Sequence, residues 1–260
     1  MAGLFRRRRH RIVAGIVLGL LVIAGGLVGA HAAGILLHDT SKPASVGDAL
    51  RHFRERGRAP GKLEGVYLYR TLGAESVDAL GGAHHRYPAT TGMTATSARC
   101  GVRLRWESLE QRSMTWVLCS TPRGIELHTL DQVHRFFGLT DRTSYACSGD
   151  LLMVPGDRPG TARPFSCRSG GGGEQGRVLV AGHEVLRVGG RKLSAVHVRT
   201  VAHVTGRNSG TETVDWWLDR SSTLPLRIVL RSRTSRKVFL GRVHYREDAD
   251  LRLVSTTPRR

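Results

Sequence analysis

The feature that most constrains this chain is an uncharged, apolar stretch that directly follows a basic leader. Residues 1–11 carry five arginines and no acid, and residues 12–37 then contain no formal charge. About 20 apolar residues are enough to cross the hydrocarbon core of a bilayer. We therefore expect a cytoplasmic leader at 1–11, a transmembrane helix at 12–37, a linker at 38–44 and an exported domain at 45–260.

The arginines also predict how the chain is oriented in the cell membrane. They precede the apolar stretch and none directly follows it, which places the N-terminus in the cytoplasm. A cleaved signal peptide is the alternative, because Ala30-His31-Ala32 has the small-x-small form of a cleavage site. We favour an uncleaved, single-pass anchor in the lipid bilayer, because the apolar run continues to Leu37. In both cases the domain after residue 38 is extracytoplasmic.

The exported domain contains an even number of cysteines, which in an oxidising compartment predicts two disulfides. They are Cys100, Cys119, Cys147 and Cys167. A zinc site is the alternative, but no CxxC or CxxH pair supplies the usual ligand spacing. If all four cysteines are oxidised, no thiol remains as a nucleophile.

A predicted hairpin favours one pairing of these cysteines. Two alternating segments have their midpoint at Leu109-Glu110, so a simple antiparallel hairpin places Cys100 directly opposite Cys119. The other two cysteines would then close a loop that is rich in glycine and proline. Four cysteines allow three pairings, so the sequence leaves the connectivity open.

Alternating, β-branched segments predict a mainly β (α+β) domain. We expect a curved antiparallel sheet or half-barrel with one or two short helices on one face. Gly189-Gly190 is typical of a two-residue hairpin turn. The predicted strands are Leu63–Arg70, Gly101–Glu107, Met114–Cys119, Arg177–Val188, Lys192–Val204, Thr211–Leu218, Leu224–Ser232, Lys237–Arg246 and Leu251–Ser255.

Two segments have helical rather than alternating periodicity. Ser45 is expected to cap a first helix, with Asp48 as the acid of a capping box. The apolar stripe of this helix should pack on the sheet, and a helix on the membrane surface is the alternative. A second helix is predicted at Leu130–Phe137. Glycines and prolines at 155–173 predict a loop that divides the domain into two halves.

The net charge of +19 favours anionic partners, such as phospholipid headgroups or polyanionic wall polymers. An arginine-rich surface that is simply solvated is the alternative. Nucleic acid is not expected as a partner, because the domain lies outside the cell and its bases are spread along the predicted strands.

Two stretches resemble the LolA/RseB-like superfamily of envelope proteins. EGVYLYR at 64–70, followed by ESVD at 75–78, is similar to the opening strands of that group, and WWLDRSSTLPLR at 216–227 is similar to its strand, Asp-led turn and Leu-Pro strand. The resemblance implies a curved half-barrel without enzymatic activity, whose concave face holds lipid or lipoprotein acyl chains or senses mislocalised envelope components. The chain also resembles uncharacterised membrane-anchored proteins of high-GC Gram-positive bacteria.

Trp216 and Trp217 are the residues that we predict to bind a ligand. Neighbouring residues of a strand point to opposite faces, so one ring can line an apolar concavity while the other packs beneath a helix. The alternative is that both tryptophans are core or edge residues.

The sequence contains no recognised catalytic motif, so no enzymatic activity, cofactor or metal is predicted. GxSxG, HExxH, SxxK and Walker motifs are all missing, and the glycines at 170–173 are expected to form a linker. His84-His85 is expected in a solvated loop, with metal binding as the alternative. Asp215 and Asp219 are expected at strand ends, in ordinary turn roles.

These features predict a membrane-anchored, extracytoplasmic and non-enzymatic binding protein for a lipid, a lipoprotein or another anionic envelope component. The alternative is a regulatory or sensory protein that acts through another membrane protein, because a leader of residues 1–11 is too short to carry a signalling domain. A hydrolase with an unrecognised site is a third hypothesis.

Overall fold

The computed structural model describes residues 39–55, 61–222, 224–239 and 241–260, with the backbone alone at 148–150. The predicted leader and transmembrane helix therefore lie outside the described residues. Within the described ranges, no helix is long and apolar enough to span a membrane.

Antiparallel strands make up most of the described chain, which confirms a mainly β fold. They follow one another around a single sheet in chain order, except that β3 pairs with β1 and β2 pairs with β1 alone. The strands are β1 (Gly65–Val77), β2 (Ala83–Arg86), β3 (Thr90–Ala98), β4 (Gly101–Leu109), β5 (Arg112–Thr121), β6 (Gly124–Phe136), β7 (Leu139–Met153), β8 (Ala162–Ser169), β9 (Gly172–Val188), β10 (Arg191–Gly206), β11 (Asn208–Asp219), β12 (Pro225–Val238) and β13 (Gly241–Leu253).

The sheet is curved, as predicted, but it closes on itself instead of ending as an open half-barrel. Along one edge, β1 pairs with β13, from Tyr69 opposite Leu253 to Val77 opposite Tyr245. Along its other edge, β1 pairs first with β3 and then with β2. Closure buries one face of every strand in a common interior and leaves the other face outside.

The predicted first helix is present as α1, at Val46–Arg54, with a short 3-10 helix at Ala79–Gly81 further along the chain. The Ser45 hydroxyl accepts a hydrogen bond from the Asp48 N–H at 3.1 Å, as an N-cap should. The Asp48 carboxylate pairs with Arg51 rather than completing a capping box. The helix packs on the sheet as predicted, because Val46 lies directly over Gly92 of β3.

The predicted helix at Leu130–Phe137 is wrong, because this segment belongs to β6. Its backbone pairs with β5 on one side and with β7 on the other. A helix of that length has little stability of its own, so two ladders of inter-strand hydrogen bonds decide the conformation. Phe137 and Gly138 form the turn into β7, with φ angles of 51° and 75°, which is typical of a tight hairpin turn.

The predicted loop at 155–173 contains β8, and the glycines at 170–173 are not a linker. They form the β8–β9 turn and the start of β9. A Cβ at Gly172 would lie 1.9 Å from the carbonyl oxygen of Thr205, so only glycine allows β9 and β10 to approach this closely. Asp39–Arg260 forms one compact unit, so the segment does not divide the domain into halves.

The last two predicted strands, Lys237–Arg246 and Leu251–Ser255, are placed wrongly. β12 extends to Val238, and β13 begins at Gly241 and continues without a break to Leu253. Gly189-Gly190 forms the β9–β10 hairpin turn as predicted, with φ angles of 54° and 81°.

Both disulfides form with the predicted pairing, Cys100–Cys119 and Cys147–Cys167. Cys119 lies opposite Gly101 and not opposite Cys100, because an irregularity between Glu107 and Leu109 shifts the register of the hairpin. Disulfides are typical of proteins outside the cytoplasm.

Among the described residues, the second disulfide bridges the shortest ladder of the closed sheet. Two residue pairs are seen there between β7 and β8, and one of them is Cys147 opposite Cys167. By comparison, the β9–β10 ladder runs from Arg191 to Gly206. The covalent bond therefore joins neighbouring strands where main-chain hydrogen bonds are fewest.

Replacing Cys147 and Cys167 together by alanine should lower the free energy of unfolding by about 3 kcal/mol, because the bond restricts the unfolded chain over a separation of 20 residues. Urea unfolding measures the change, in a buffer without reductant so that the remaining disulfide stays intact. The matched control is Cys100→Ala/Cys119→Ala, which removes a disulfide that spans a nearly equal separation of 19 residues. The pair in the short ladder should cost more than the control, and an equal or smaller loss would contradict this role.

Candidate functional site

The interior of the closed sheet is filled by side chains that meet from opposite strands. Trp116 of β5 and Trp216 of β11 contact edge to face, with ring centroids 5.2 Å apart. Tyr69 of β1 donates a hydrogen bond to the Pro225 carbonyl of β12 at 2.6 Å. A cavity beside Trp216 has a volume of about 20 Å³, which is enough for one water molecule and far below the ~300 Å³ of a small-ligand pocket.

The structure places the two predicted ligand-binding tryptophans in different surroundings. Trp216 is buried among the interior aromatic residues. Trp217 is 7% exposed and is covered by two side chains rather than by a helix. His197 stacks on its ring at 4.0 Å, and the Arg227 guanidinium lies 4.6 Å from the ring centroid. A ligand-binding role for these tryptophans stays a prediction.

Asp215 lies within β11 and is buried, so its predicted turn role is wrong. Its carboxylate accepts hydrogen bonds from His197 at 2.8 Å and from Arg199 at 2.7 Å. Burial raises the pKa of Asp215, but these two hydrogen bonds outweigh it and hold the pKa below its ordinary value. Asp219 does act in a turn, where its carboxylate accepts hydrogen bonds from Ser221 and Ser222.

The seam between β1 and β13 places two buried carboxylates directly opposite each other, Glu75 and Glu247. Like charges opposite each other destabilise a sheet, so this pair needs compensation. Arg112 of β5 is fully buried and donates to Glu247 through Nε at 3.0 Å and Nη2 at 2.9 Å. Tyr87 and Tyr245 also donate to Glu247, at 2.5 Å and 2.9 Å.

Two histidines compensate the other carboxylate of the seam. His85 Nδ1 and His134 Nδ1 lie 3.1 Å and 3.2 Å from the Glu75 oxygens. Burial raises the pKa of Glu75, but hydrogen bonds from these histidines and the charge of Arg112 outweigh burial and lower the pKa to about 2. Burial lowers the pKa of His85, while Glu75 and Asp39 raise it above its ordinary value.

His85 is fully buried, so the solvated loop predicted for His84-His85 is wrong at this residue. It lies in β2, and its ring stacks on Phe136 at 4.6 Å. Within the described residues, no group of three or more histidine, cysteine or acidic side chains could hold a metal ion. We call Glu75, Glu247, Arg112, His85 and His134 the seam cluster; its first four members are buried, and the His134 side chain is 17% exposed.

A second acidic pair, Glu174 and Glu212, lines the small interior cavity. Burial raises the pKa of both carboxyl groups, well above the ordinary value for Glu174. The pKa of Glu212 rises to about 7, because burial and the charge of Glu247 outweigh hydrogen bonds from Gln132 and Ser232. Protonated carboxyl groups fit this aromatic cavity better than charged ones.

A polar cleft with a volume of about 470 Å³ opens at one end of the sheet. That volume lies within the range of ~300–1,000 Å³ that is typical of ligand sites. The cleft is lined by residues 141–145 of β7, the β8–β9 turn at 169–172, residues 204–205 and 207–208 at the β10–β11 turn, and Arg236 of β12. We call it the polar cleft.

The charge of the polar cleft is positive. Arg142, Arg207 and Arg236 are exposed, and Asp141 is the one acid among its lining residues. Arg236 Nη1 lies 3.7 Å from an Asp141 carboxylate oxygen, and an exposed pair of this kind contributes at most about 1 kcal/mol. Arg207 lies over the turn, 3.2 Å from where a Cβ at Gly171 would stand. The cleft can therefore bind anionic groups through three guanidiniums.

Sequence reasoning missed the polar cleft and most of the seam cluster. Strand alternation carries a signal for the seam, because Arg112 precedes Met114 and Trp116 at the same spacing of two and so belongs to the inward face. No comparable signal marks the cleft, since Arg142 lies in β7, Arg207 in the β10–β11 turn and Arg236 in β12.

Neither a protein-family model nor a curated protein matches this chain. Among solved structures, the chain is similar to the hypothetical lipoprotein YmcC from Escherichia coli (K12), with a TM-score of 0.37 and 12% sequence identity, over 83% of this chain and 98% of that chain. The resemblance to the LolA/RseB-like superfamily is not confirmed and stays a prediction.

Replacing Arg112 by methionine should lower the free energy of unfolding by about 3–5 kcal/mol, because it leaves a buried carboxylate without its cation. Urea unfolding checks the value. The double variant Arg112→Met/Glu247→Gln removes both charges and should recover at least half of the loss. A single variant within about 1 kcal/mol of the wild type would contradict the compensating role of Arg112.

The free energy of unfolding should decrease as the pH rises from about 4.5, the ordinary pKa of glutamate, to about 7, the pKa of folded Glu212. Across this window the folded protein binds a proton that the unfolded chain releases, so the stabilisation is complete below it and lost above it. Glu212→Gln should flatten the decrease. Glu110→Gln, in the exposed β4–β5 turn, controls for the loss of one carboxylate. An unchanged slope in Glu212→Gln would contradict the assignment.

Proposed function

We propose that this protein is a membrane-anchored, extracytoplasmic and non-enzymatic binding protein whose polar cleft takes an anionic group of another envelope component. The observation that carries the proposal is the convergence of Arg142, Arg207 and Arg236 on one open space of about 470 Å³. Guanidiniums bind phosphate and carboxylate oxygens through paired hydrogen bonds.

The size and charge of the two cavities favour the polar cleft over the interior as the binding site. An acyl chain inside the sheet would have to displace packed side chains such as Trp116 and Trp216, because the cavity between them has a volume of about 20 Å³. Displacing close-packed core side chains costs several kcal/mol. The cleft needs no such rearrangement.

The location outside the cytoplasm is supported by the two disulfides and by the basic leader and apolar stretch of the sequence. An anchor at the N-terminus would hold the domain close to the bilayer surface, where lipid headgroups and wall polymers carry phosphate groups. The net charge of +19 would increase the rate at which such groups are encountered.

Full-length protein in phosphatidylcholine nanodiscs should bind fluorescein-labelled polyphosphate or poly-L-glutamate, as measured by fluorescence anisotropy. Neutralising the cleft with Arg142→Gln/Arg207→Gln/Arg236→Gln should weaken binding at least tenfold, because each lost guanidinium contact contributes about 1.5 kcal/mol or more. Adding phosphatidylglycerol to the nanodiscs distinguishes a lipid headgroup from a soluble polyanion, because headgroups that occupy the cleft compete with the probe.

The matched control is Arg103→Gln/Arg187→Gln/Arg191→Gln, which removes three exposed arginines outside the cleft. It has the same net charge as the cleft variant and should bind within about twofold of the wild type. An equal loss in both variants would show that binding follows net charge alone. That result, or the failure of both probes to bind, would overturn the proposed function.

A further inference from the structure

The first half of β7, from Leu139 to Tyr145, has one edge without a neighbouring strand. Its other edge pairs with β6, from Leu139 opposite Phe136 to Tyr145 opposite Leu130. The ladder to β8 begins only at Ala146, because β8 ends and turns back towards β9. No strand in the described part of the chain covers residues 139–145 on this side, so the backbone groups directed there have no ladder partner.

The polar cleft lies beside this open edge and not over a face of β7. Its lining includes five consecutive β7 residues, 141–145. Successive side chains of a strand point to opposite faces, so a space that touches all five must lie next to the backbone itself. The polar cleft therefore offers main-chain donors and acceptors together with the arginine side chains.

The surroundings of the edge suit an extended polypeptide that carries acidic side chains. Arg142, Arg207 and Arg236 supply the positive charge, and Leu139 is 75% exposed at the start of the edge. A Cβ at Gly170 would meet no atom within 4 Å, so the β8–β9 turn that lines the cleft borders open space. A phosphate polymer could use the arginines, but it would leave the backbone groups of the edge unpaired.

We propose that the polar cleft binds an extended, acidic segment of a partner protein, which adds to β7 as a further strand. This inference rests on the proposed function and names the occupant of the same site. Residues 139–145 can pair with a segment about 23 Å long. Main-chain hydrogen bonds would supply the affinity, and the three arginines would select acidic side chains.

The experiment uses a fluorescein-labelled peptide of seven alternating valine and glutamate residues, titrated against the full-length protein in phosphatidylcholine nanodiscs. The comparison peptide has the same sequence with every backbone amide N-methylated, which keeps the charges and removes the strand donors. Hydrogen exchange with mass spectrometry then locates the bound peptide on the protein.

The unmodified peptide should bind at least tenfold more tightly than its N-methylated form and should slow exchange at residues 139–145. Arg142→Gln should weaken binding of the unmodified peptide, while Arg103→Gln, an exposed arginine outside the cleft, should not. Because Arg142 is exposed and β6 and β7 pair through their backbones, Arg142→Gln should fold like the wild type.

Equal binding of the two peptides would overturn strand addition, although the proposed function would survive because charge alone would then explain the affinity. Binding of polyphosphate without binding of the peptide would have the same meaning. Tight binding that slows exchange elsewhere in the protein, with no change at 139–145, would also overturn the inference. Failure of the peptides and polyphosphate alike would overturn the proposed function as well.

Discussion

Pairing of the first strand of the sheet with the last brings two carboxylates face to face, and the interior of the protein is arranged around that constraint. Glu75 lies opposite Glu247 in the β1–β13 seam, with neither exposed by more than 1%. Arg112 reaches the seam from β5, and His85 and His134 reach it from β2 and β6. His85 lies directly opposite Glu75 in the neighbouring strand, whereas Arg112 and His134 reach the seam from across the interior and join the two sides of the closed sheet.

The β7–β8 region shows the opposite situation, because among the described residues its ladder has two residue pairs, one of them bridged by the Cys147–Cys167 disulfide. From Tyr145 back to Leu139, β7 pairs with β6 on one edge and has no described strand on the other. The polar cleft lies beside that edge. The β1–β13 seam therefore has a structural role, whereas the proposed binding role belongs to the open edge of β7. Both proposals depend on an anchored domain outside the cytoplasm, where the two disulfides are stable.

Much of the local structure could be predicted from the sequence, because alternation and turn residues act over short distances. The cap at Ser45, the Gly189-Gly190 turn and the pairing of the cysteines follow from such signals. The helix predicted at Leu130–Phe137 failed because apolar residues at helical spacing also occur in a strand that is paired on both sides.

The seam cluster and the polar cleft depend on contacts between distant strands, which no local pattern contains. Part of the seam could nevertheless have been predicted from the sequence. One face of β13 carries Tyr245, Glu247, Ala249 and Leu251 in alternation, so a prediction of one continuous strand would have placed Glu247 inside. Splitting that strand in two concealed it. The cleft had no such signal, because pairing of β11 with β12 brings Arg207 near Arg236, while Arg142 comes from β7, far away in the sequence.

Closure of the sheet is tested most directly by a new cross-link at the seam. Arg70 and Arg252 lie opposite each other in β1 and β13, and both are exposed. Directly opposed strand residues lie within the range that a disulfide can bridge. In the Arg70→Cys/Arg252→Cys variant, mass spectrometry of unreduced peptides should find the new bond beside the two native disulfides. Free thiols at both positions, with the native disulfides intact, would show that the sheet is open and would contradict this account.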